Sequence, residues 1–154
     1  MPIPPFNQHG LLPPGIHPAS LEEVVEKLGF SPKRQDLIER GLKPVVEQLK
    51  ALGVREVYLN GSFTTSKPSP GDIDGYVLTK TRSALETELA EHQEEWKATH
   101  RVDLWPAYTD QPGEMSQAAW EVWFGHTKEQ LPKAKGIVKL ILEGGERHVP
   151  AQER

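Results

Sequence analysis

The stretch VREVYLNGSFTTSKPSPGDIDGYVLT (residues 54–79) joins two short apolar segments through a loop rich in serine, proline and glycine. At 54–60 and again at 73–79 the apolar residues are spaced as in a half-buried strand, whereas the preceding residues have helical spacing. The residues between them, 61–71, carry the clusters that mark a turn-rich connection. This stretch predicts two neighbouring strands joined by a long loop.

Helix signals precede this strand pair. Ser20 and Glu23 have the spacing of a capping box, which predicts a helix over 21–28. Ser31 begins a second, longer helix that ends at a glycine, residue 53. Pro44 lies inside that helix, where it removes a backbone hydrogen bond, so we expect a bend there.

After residue 79 helical and strand patterns alternate. Helices are predicted at 83–98 and 115–123, and strands at 101–105 and 136–142, with Pro106 ending the first of these strands. This order of elements predicts an α+β (α/β) fold, a small mixed β-sheet with helices packed against it.

The distribution of proline divides the chain. Six of the 14 prolines fall within the first 18 residues, and this predicts an extended arm because proline fixes φ and removes a donor. The apolar residues of the arm indicate that it packs over the domain surface. We therefore expect an arm at 1–19, one domain at 20–143 and a flexible tail at 144–154.

The composition narrows the class of function. The 154 residues include no cysteine and carry a net charge of −4, which excludes a disulfide scaffold, a thiolate zinc site and a cysteine nucleophile. The sequence pI of about 5.9 gives no sign of a basic surface for general DNA or RNA binding. No apolar run approaches a membrane span and no secretory signal is recognisable, so we expect a cytoplasmic protein without a membrane partner.

Two short polar motifs flank the loop between the predicted strands. Gly61-Ser62 follows the first strand, where backbone amides and a hydroxyl can approach an anion closely. Asp72 and Asp74 open the second strand, and alternation places both on one face about 7 Å apart. Two such carboxylates repel by roughly 2 kcal/mol at an effective dielectric constant near 20, so they favour a hard cation such as Mg²⁺ or Mn²⁺.

This combination resembles the signature of the nucleotidyltransferase superfamily that includes polymerase beta. The resemblance covers residues 54–104 and implies that Gly61 and Ser62 bind the β- and γ-phosphates of a nucleoside triphosphate. It also implies that Asp72 and Asp74 hold two magnesium ions.

In that superfamily a third carboxylate on a later strand completes the site and helps to deprotonate the attacking hydroxyl. Asp103 is the acidic residue that lies in a predicted strand at the right place, and we favour it over three acids of the predicted helix 83–98, which are Glu86, Glu88 and Glu91. Lys67, within the loop, is a candidate for screening phosphate charge, as are Lys80 and Arg82.

A second resemblance covers nearly the whole chain. The segments PPFNQHGLLPPGIH (4–17), LNGSFTT (59–65), GDIDG (71–75) and PKAKGIV (132–138) are similar to those of a bacterial and phage family of unknown function that is expected to share the nucleotidyltransferase fold. At two positions the sequence departs from the pattern usual in nucleotidyltransferases, and these departures concern the substrate rather than the fold. Phe63 and the threonines after it stand where small nucleotidyltransferases often carry arginine, and Gly75 stands where an aliphatic residue is common.

The sequence thus predicts a metal-dependent nucleotidyltransferase, which moves a nucleoside monophosphate from a triphosphate to a hydroxyl of a protein, a small molecule or an RNA. One alternative is an antitoxin-like minimal nucleotidyltransferase directed at a partner toxin. Another is a binding scaffold without turnover, against which the joint presence of Ser62, Asp72 and Asp74 argues.

Overall fold

The computed structural model describes residues 3–130 and 132–142 and has a mixed five-stranded sheet with helices packed on it. The strands are β1 (Gly15–Ser20), β2 (Glu56–Asn60), β3 (Ile73–Thr79), β4 (Val102–Tyr108) and β5 (Gly136–Ile141). The helices are α1 (Leu21–Leu28), α2 (32–51), α3 (84–100) and α4 (Gln117–Phe124). The predicted α+β fold is confirmed, while the predicted tail at 144–154 lies outside the described residues.

The strand order across the sheet is β1-β5-β2-β3-β4. Both outer pairs, β1 with β5 and β3 with β4, are parallel, whereas β2 is antiparallel to both of its neighbours. As a result the C-terminal end of β2 and the N-terminal ends of β3, β4 and β5 lie at the same end of the sheet.

The first helix begins as its capping box predicts. The Ser20 hydroxyl accepts a hydrogen bond from the Glu23 backbone N–H at 3.1 Å, and the Glu23 carboxylate accepts one from the Ser20 N–H at 2.8 Å. Two donors at the helix start are thereby satisfied, and α1 covers the predicted residues, Leu21–Leu28.

Near Pro44, where the sequence predicts a bend, α2 contains a π-helical turn, Leu37–Leu42, on the N-terminal side of the proline. Pro44 has no N–H to offer the carbonyl of Arg40 four residues earlier. The Nδ1–H of His100, at the end of α3, donates to that carbonyl at 2.8 Å. The proline therefore leaves the Arg40 carbonyl available, and its hydrogen bond with His100 links α2 to α3.

Two proline positions differ from the expectation. Pro106 does not end its strand, because β4 runs on to Tyr108; β4 is an edge strand, so no outer neighbour needs the missing N–H. Pro18 lies within β1, which pairs with β5 at the opposite edge. The last part of the predicted arm is thus a strand of the sheet, which the sequence analysis did not assign.

The two faces of the sheet are covered unequally. Helices α1, α2 and α3 bury one face and form the main apolar core, which includes Val57, Leu59, Ile73 and Val138 from the strands. The other face, called the α4 face below, carries Tyr58, Tyr76, Ala107 and Ile137 against Phe124 of α4. No helix among the described residues is long and apolar enough to cross a lipid bilayer.

Gly75 lies in β3 where the backbone of β2 passes close by. A Cβ atom there would lie 2.3 Å from the Tyr58 carbonyl oxygen and 3.0 Å from a Leu104 methyl group. The glycine at this position, one of the departures noted above, is therefore explained by packing within the sheet.

We expect Gly75→Ala to lower the free energy of unfolding by about 2 kcal/mol or more, because overpacking forces the backbone of β2 to shift. Gly71→Ala is the matched control, since nothing lies within 4 Å of the added methyl group. Urea unfolding of both variants measures the difference, and equal stabilities would contradict this account of Gly75.

Candidate active site

Three acidic residues lie near one another at one end of the sheet, where β2 finishes and β3 and β4 begin. Asp74 of β3 and Asp103 of β4 are paired in register, so their backbones are about 5 Å apart. Alternation along β3 and β4 places both on the α4 face, because Tyr76 and Ala107 lie there. Asp72 stands one residue before β3, so the three acids predicted from the sequence lie within one region.

The electrostatics of Asp74 reflect this crowding. Burial and, to a smaller extent, the negative charges of Asp72 and Asp103 raise the pKa of Asp74 to about 6, against the opposing effect of Lys135 and Lys97. At neutral pH the site holds repelling negative charge in a partly buried place, which is the condition that a bound cation relieves.

One carboxylate oxygen of Asp103 has a partner among the described residues and the other has none. Its Oδ2 lies 3.8 Å from the Lys97 Nζ of α3, while its Oδ1 is buried and has no hydrogen-bond partner among the described residues. A buried carboxylate oxygen without a partner is unfavourable, and a cation or a donor from a ligand would satisfy it.

No group of three or more acidic or histidine side chains in residues 3–130 and 132–142 is arranged so that it could hold a metal ion. The backbone register nevertheless brings Asp74 and Asp103 together, and mutual repulsion opposes close approach of their charged side chains. The orphaned Asp103 oxygen and the raised pKa of Asp74 fit a hard cation with oxygen ligands.

Gly61 and Ser62 begin a 3₁₀ turn, Gly61–Thr64, that follows β2 directly. Gly61 has φ +78°, and a Cβ atom there would lie 2.5 Å from the Oδ2 of Asp74. Glycine is therefore required both by the backbone conformation and by contact with the carboxylate. The predicted Gly-Ser motif and the predicted aspartate pair lie against each other.

Arg34 of α2 lies beneath this turn with its side chain 0% exposed. Its guanidinium donates five hydrogen bonds, at 2.5 to 3.2 Å, to backbone carbonyls of the turn, of the loop after it and of the end of α1. The acceptors are the carbonyls of Leu28, Ser62, Phe63, Thr65 and Lys67. All five guanidinium N–H groups are thereby used.

Among the described residues, the guanidinium of Arg34 lies against two aromatic rings and not against a carboxylate. Its guanidinium carbon lies 4.2 Å from the centre of the Phe30 ring and 5.2 Å from that of Phe63, and it forms no ion pair within the described part of the chain. Burial lowers the pKa of Arg34 to about 10, so it stays charged at neutral pH. Three carbonyls of residues 62–65 therefore accept from a fixed cation.

The sequence analysis missed Arg34. Its position three and four residues before Leu37 and Ile38 extends the apolar stripe of α2, and that spacing is the signal that an arginine there is buried. The hydrogen-bond partners of Arg34 cannot be predicted in the same way. They are backbone carbonyls, which every residue type carries, so their side chains give no signal in the sequence.

The N-terminal arm fixes the other side of the same loop. The Ser66 N–H donates to the Gly10 carbonyl at 2.8 Å, and Leu11 forms an antiparallel bridge with Thr65. The loop after the Gly-Ser motif is therefore held between α2 and the arm.

The lysines near the site differ in position. Lys67 is exposed, and the contact that ties it to the site is its backbone carbonyl, which accepts from Arg34 Nε at 2.9 Å. Lys135, which precedes β5, is half-buried; burial lowers its pKa and the negative charge of Asp74 opposes that shift.

Glu86, one of the acids passed over in favour of Asp103, accepts hydrogen bonds from the Tyr108 hydroxyl and the Arg82 N–H.

The fold and the site together define an α+β domain in which acidic residues adjoin a Gly-Ser turn. A buried arginine supports that turn. The chain belongs to a family of unknown function, DUF6932, whose model matches residues 4–141. No curated protein and no solved structure gives a significant match to the chain.

Arg34→Met should lower the free energy of unfolding by about 3 kcal/mol or more, because several carbonyls would lose their buried donor. Arg34→Lys should also be clearly destabilising, since an ammonium has three donors and no planar fork. Arg40→Met, at an exposed pair with Asp36, is the control and should change stability by less than about 0.5 kcal/mol. Urea unfolding measures all three variants.

Asp74→Asn should stabilise the protein in the absence of divalent cations. The pKa of Asp74 is raised from 3.8 to about 6 on folding, so the folded state binds protons more readily than the unfolded state and stability falls as the pH rises from about 4 to 6. At pH 7 in EDTA we expect a gain on the order of 1–2 kcal/mol. The exposed Asp36→Asn should show none, and a destabilised Asp74→Asn would contradict the assigned repulsion.

Proposed function

We propose that this protein is a metal-dependent nucleotidyltransferase, which transfers a nucleoside monophosphate from a nucleoside triphosphate to a hydroxyl acceptor. The observation that carries the proposal is the contact between the two sequence motifs: the Gly61 turn lies against Asp74, which is paired in register with Asp103. This arrangement supports a site in which a phosphate chain and the carboxylates that hold its cations are neighbours.

The turn supports phosphate binding through its backbone. Because the carbonyls of Ser62, Phe63 and Thr65 accept hydrogen bonds from Arg34, they face the interior. Backbone amides and the Ser62 hydroxyl at the start of such a turn can donate to phosphate oxygens. The positive charge of Arg34 beneath the turn adds attraction for an anion.

The three carboxylates form one cation-binding set in the proposal. Asp72 and Asp74 would hold Mg²⁺ or Mn²⁺, and Asp103 would complete the set with its Oδ1, which has no hydrogen-bond partner among the described residues. When bound, such cations neutralise charge on the attacking and leaving oxygens of an in-line displacement. The orphaned oxygen of Asp103 supports this assignment over a purely structural role.

The reaction needs no covalent intermediate on the protein. The acceptor oxygen forms a bond to the α-phosphorus of the triphosphate, and the bond from that phosphorus to the oxygen bridging to the β-phosphate breaks. The electron pair of the broken bond leaves with pyrophosphate, and Asp103 accepts the proton of the acceptor hydroxyl. Catalysis then consists mainly of positioning and charge stabilisation by the site.

Label transfer tests the proposed activity. The protein is incubated with a cell lysate, Mg²⁺ or Mn²⁺, and each of the four nucleoside triphosphates labelled at the α- or the γ-phosphate. We expect the α-label to appear on a macromolecule or small acceptor and the γ-label to be released in pyrophosphate. The variant Asp72→Asn with Asp74→Asn should lose at least about 100-fold in transfer rate, a loss of the size seen when charge-stabilising groups are removed.

The exposed Asp36→Asn variant is the matched control and should transfer label at the wild-type rate. Calorimetry with each triphosphate in the presence of Mg²⁺ gives an independent readout. Absence of metal-dependent binding for all four triphosphates, or transfer of the γ-label in place of the α-label, would contradict the proposed function.

A further inference from the structure

Asn60, the last residue of β2, is a buried amide without a partner. Its side chain is 0% exposed, and neither Nδ2 nor Oδ1 has a hydrogen-bond partner among the residues that the structure describes. Asn60 is paired in register with Asp74, so it adjoins the candidate active site on the α4 face.

An amide in this state weakens the fold. Burial removes its hydrogen bonds to water, and nothing in the described structure replaces them. Leucine has nearly the same shape and would carry no such penalty at a buried position. Asn60 is therefore better explained by a ligand that supplies partners than by a contribution to packing.

Lys135 is the second polar group, and its backbone is fixed from two sides. Its N–H donates to the Gly125 carbonyl at 2.8 Å, just beyond α4, and the next N–H, of Gly136, donates to the Leu12 carbonyl of the arm at 3.0 Å. The half-buried ammonium forms no ion pair within residues 3–130 and 132–142, although it interacts with the charge of Asp74.

The strand register places both side chains on the same face. Tyr58 pairs with Lys139 and Leu59 with Val138. Alternation from Lys139 back through Ile137 brings Lys135 to the face that carries Tyr58 and Asn60. Both polar groups thus flank Asp74 beside the end of β2.

We propose that Asn60 and Lys135 bind the phosphate chain of the nucleotide together with the Gly61–Thr64 turn. The Nδ2–H of Asn60 has no acceptor and the half-buried Lys135 ammonium forms no ion pair within the described part of the chain, and a phosphate chain offers several oxygens to both. The ammonium has three hydrogens, which is enough to serve phosphate oxygens and, in the bound complex, the Oδ1 of Asn60, which has no partner among the described residues. This inference rests on the proposed function and extends it by naming two residues that select a polyphosphate.

Tripolyphosphate with Mg²⁺ is the probe, because it presents a phosphate chain without base or sugar. Calorimetry should show that Lys135→Met weakens its binding about tenfold or more, whereas Lys135→Arg retains most of the affinity. Asn60→Leu should weaken binding about fivefold and also raise the midpoint of thermal unfolding in the absence of ligand. Lys27→Met, at an exposed position in α1, should bind as the wild type does.

The outcomes separate this inference from the proposed function. If the wild type binds Mg²⁺-tripolyphosphate and both variants bind it equally well, the assignment of Asn60 and Lys135 is wrong while nucleotidyl transfer stands. If Asn60→Leu is less stable than the wild type or does not fold, the ligand role of Asn60 is contradicted. If the wild type binds neither tripolyphosphate nor any nucleoside triphosphate, both proposals fail together.

Discussion

The buried guanidinium of Arg34 organises the part of the molecule on which the candidate site depends. It binds five carbonyls from three places in the chain, the end of α1, the 3₁₀ turn and the loop after it. Five directional bonds define the path of a loop that contains little apolar side chain of its own. Because no carboxylate within the described residues neutralises Arg34, its charge acts on the turn and adds to its attraction for anions.

Next to the positive charge of Arg34, the end of the sheet carries the negative charges of several aspartates. Asp74 and Asp103 face each other across β3 and β4, and Asn60 adds an unsatisfied amide in the same cross-strand row. Such groups lower stability in the absence of a ligand. Unfavourable polar groups placed next to a rigid turn are characteristic of sites where binding energy is used for function.

Local signals in the sequence predicted the elements that depend on local physics. The capping box at Ser20 fixed the start of α1, and β3 was predicted with its observed limits, Ile73–Thr79. The errors arose at prolines, where the outcome depends on which strand lies alongside. Pro106 is tolerated because β4 has no outer neighbour, and Pro18 belongs to a strand because β5 pairs with its inner side only.

By itself the sequence determined the α+β class, the strand pair at 54–79 and the three carboxylates as candidates, since period, turn residues and charge are local properties. Only the tertiary structure decided that Arg34 supports the turn, that Asp74 pairs with Asp103, and that Asn60 and Lys135 adjoin them. These relations join residues about 30 to 75 positions apart or depend on strand register. Register and long-range hydrogen bonds arise when the whole core packs, so no single segment contains the information that specifies them.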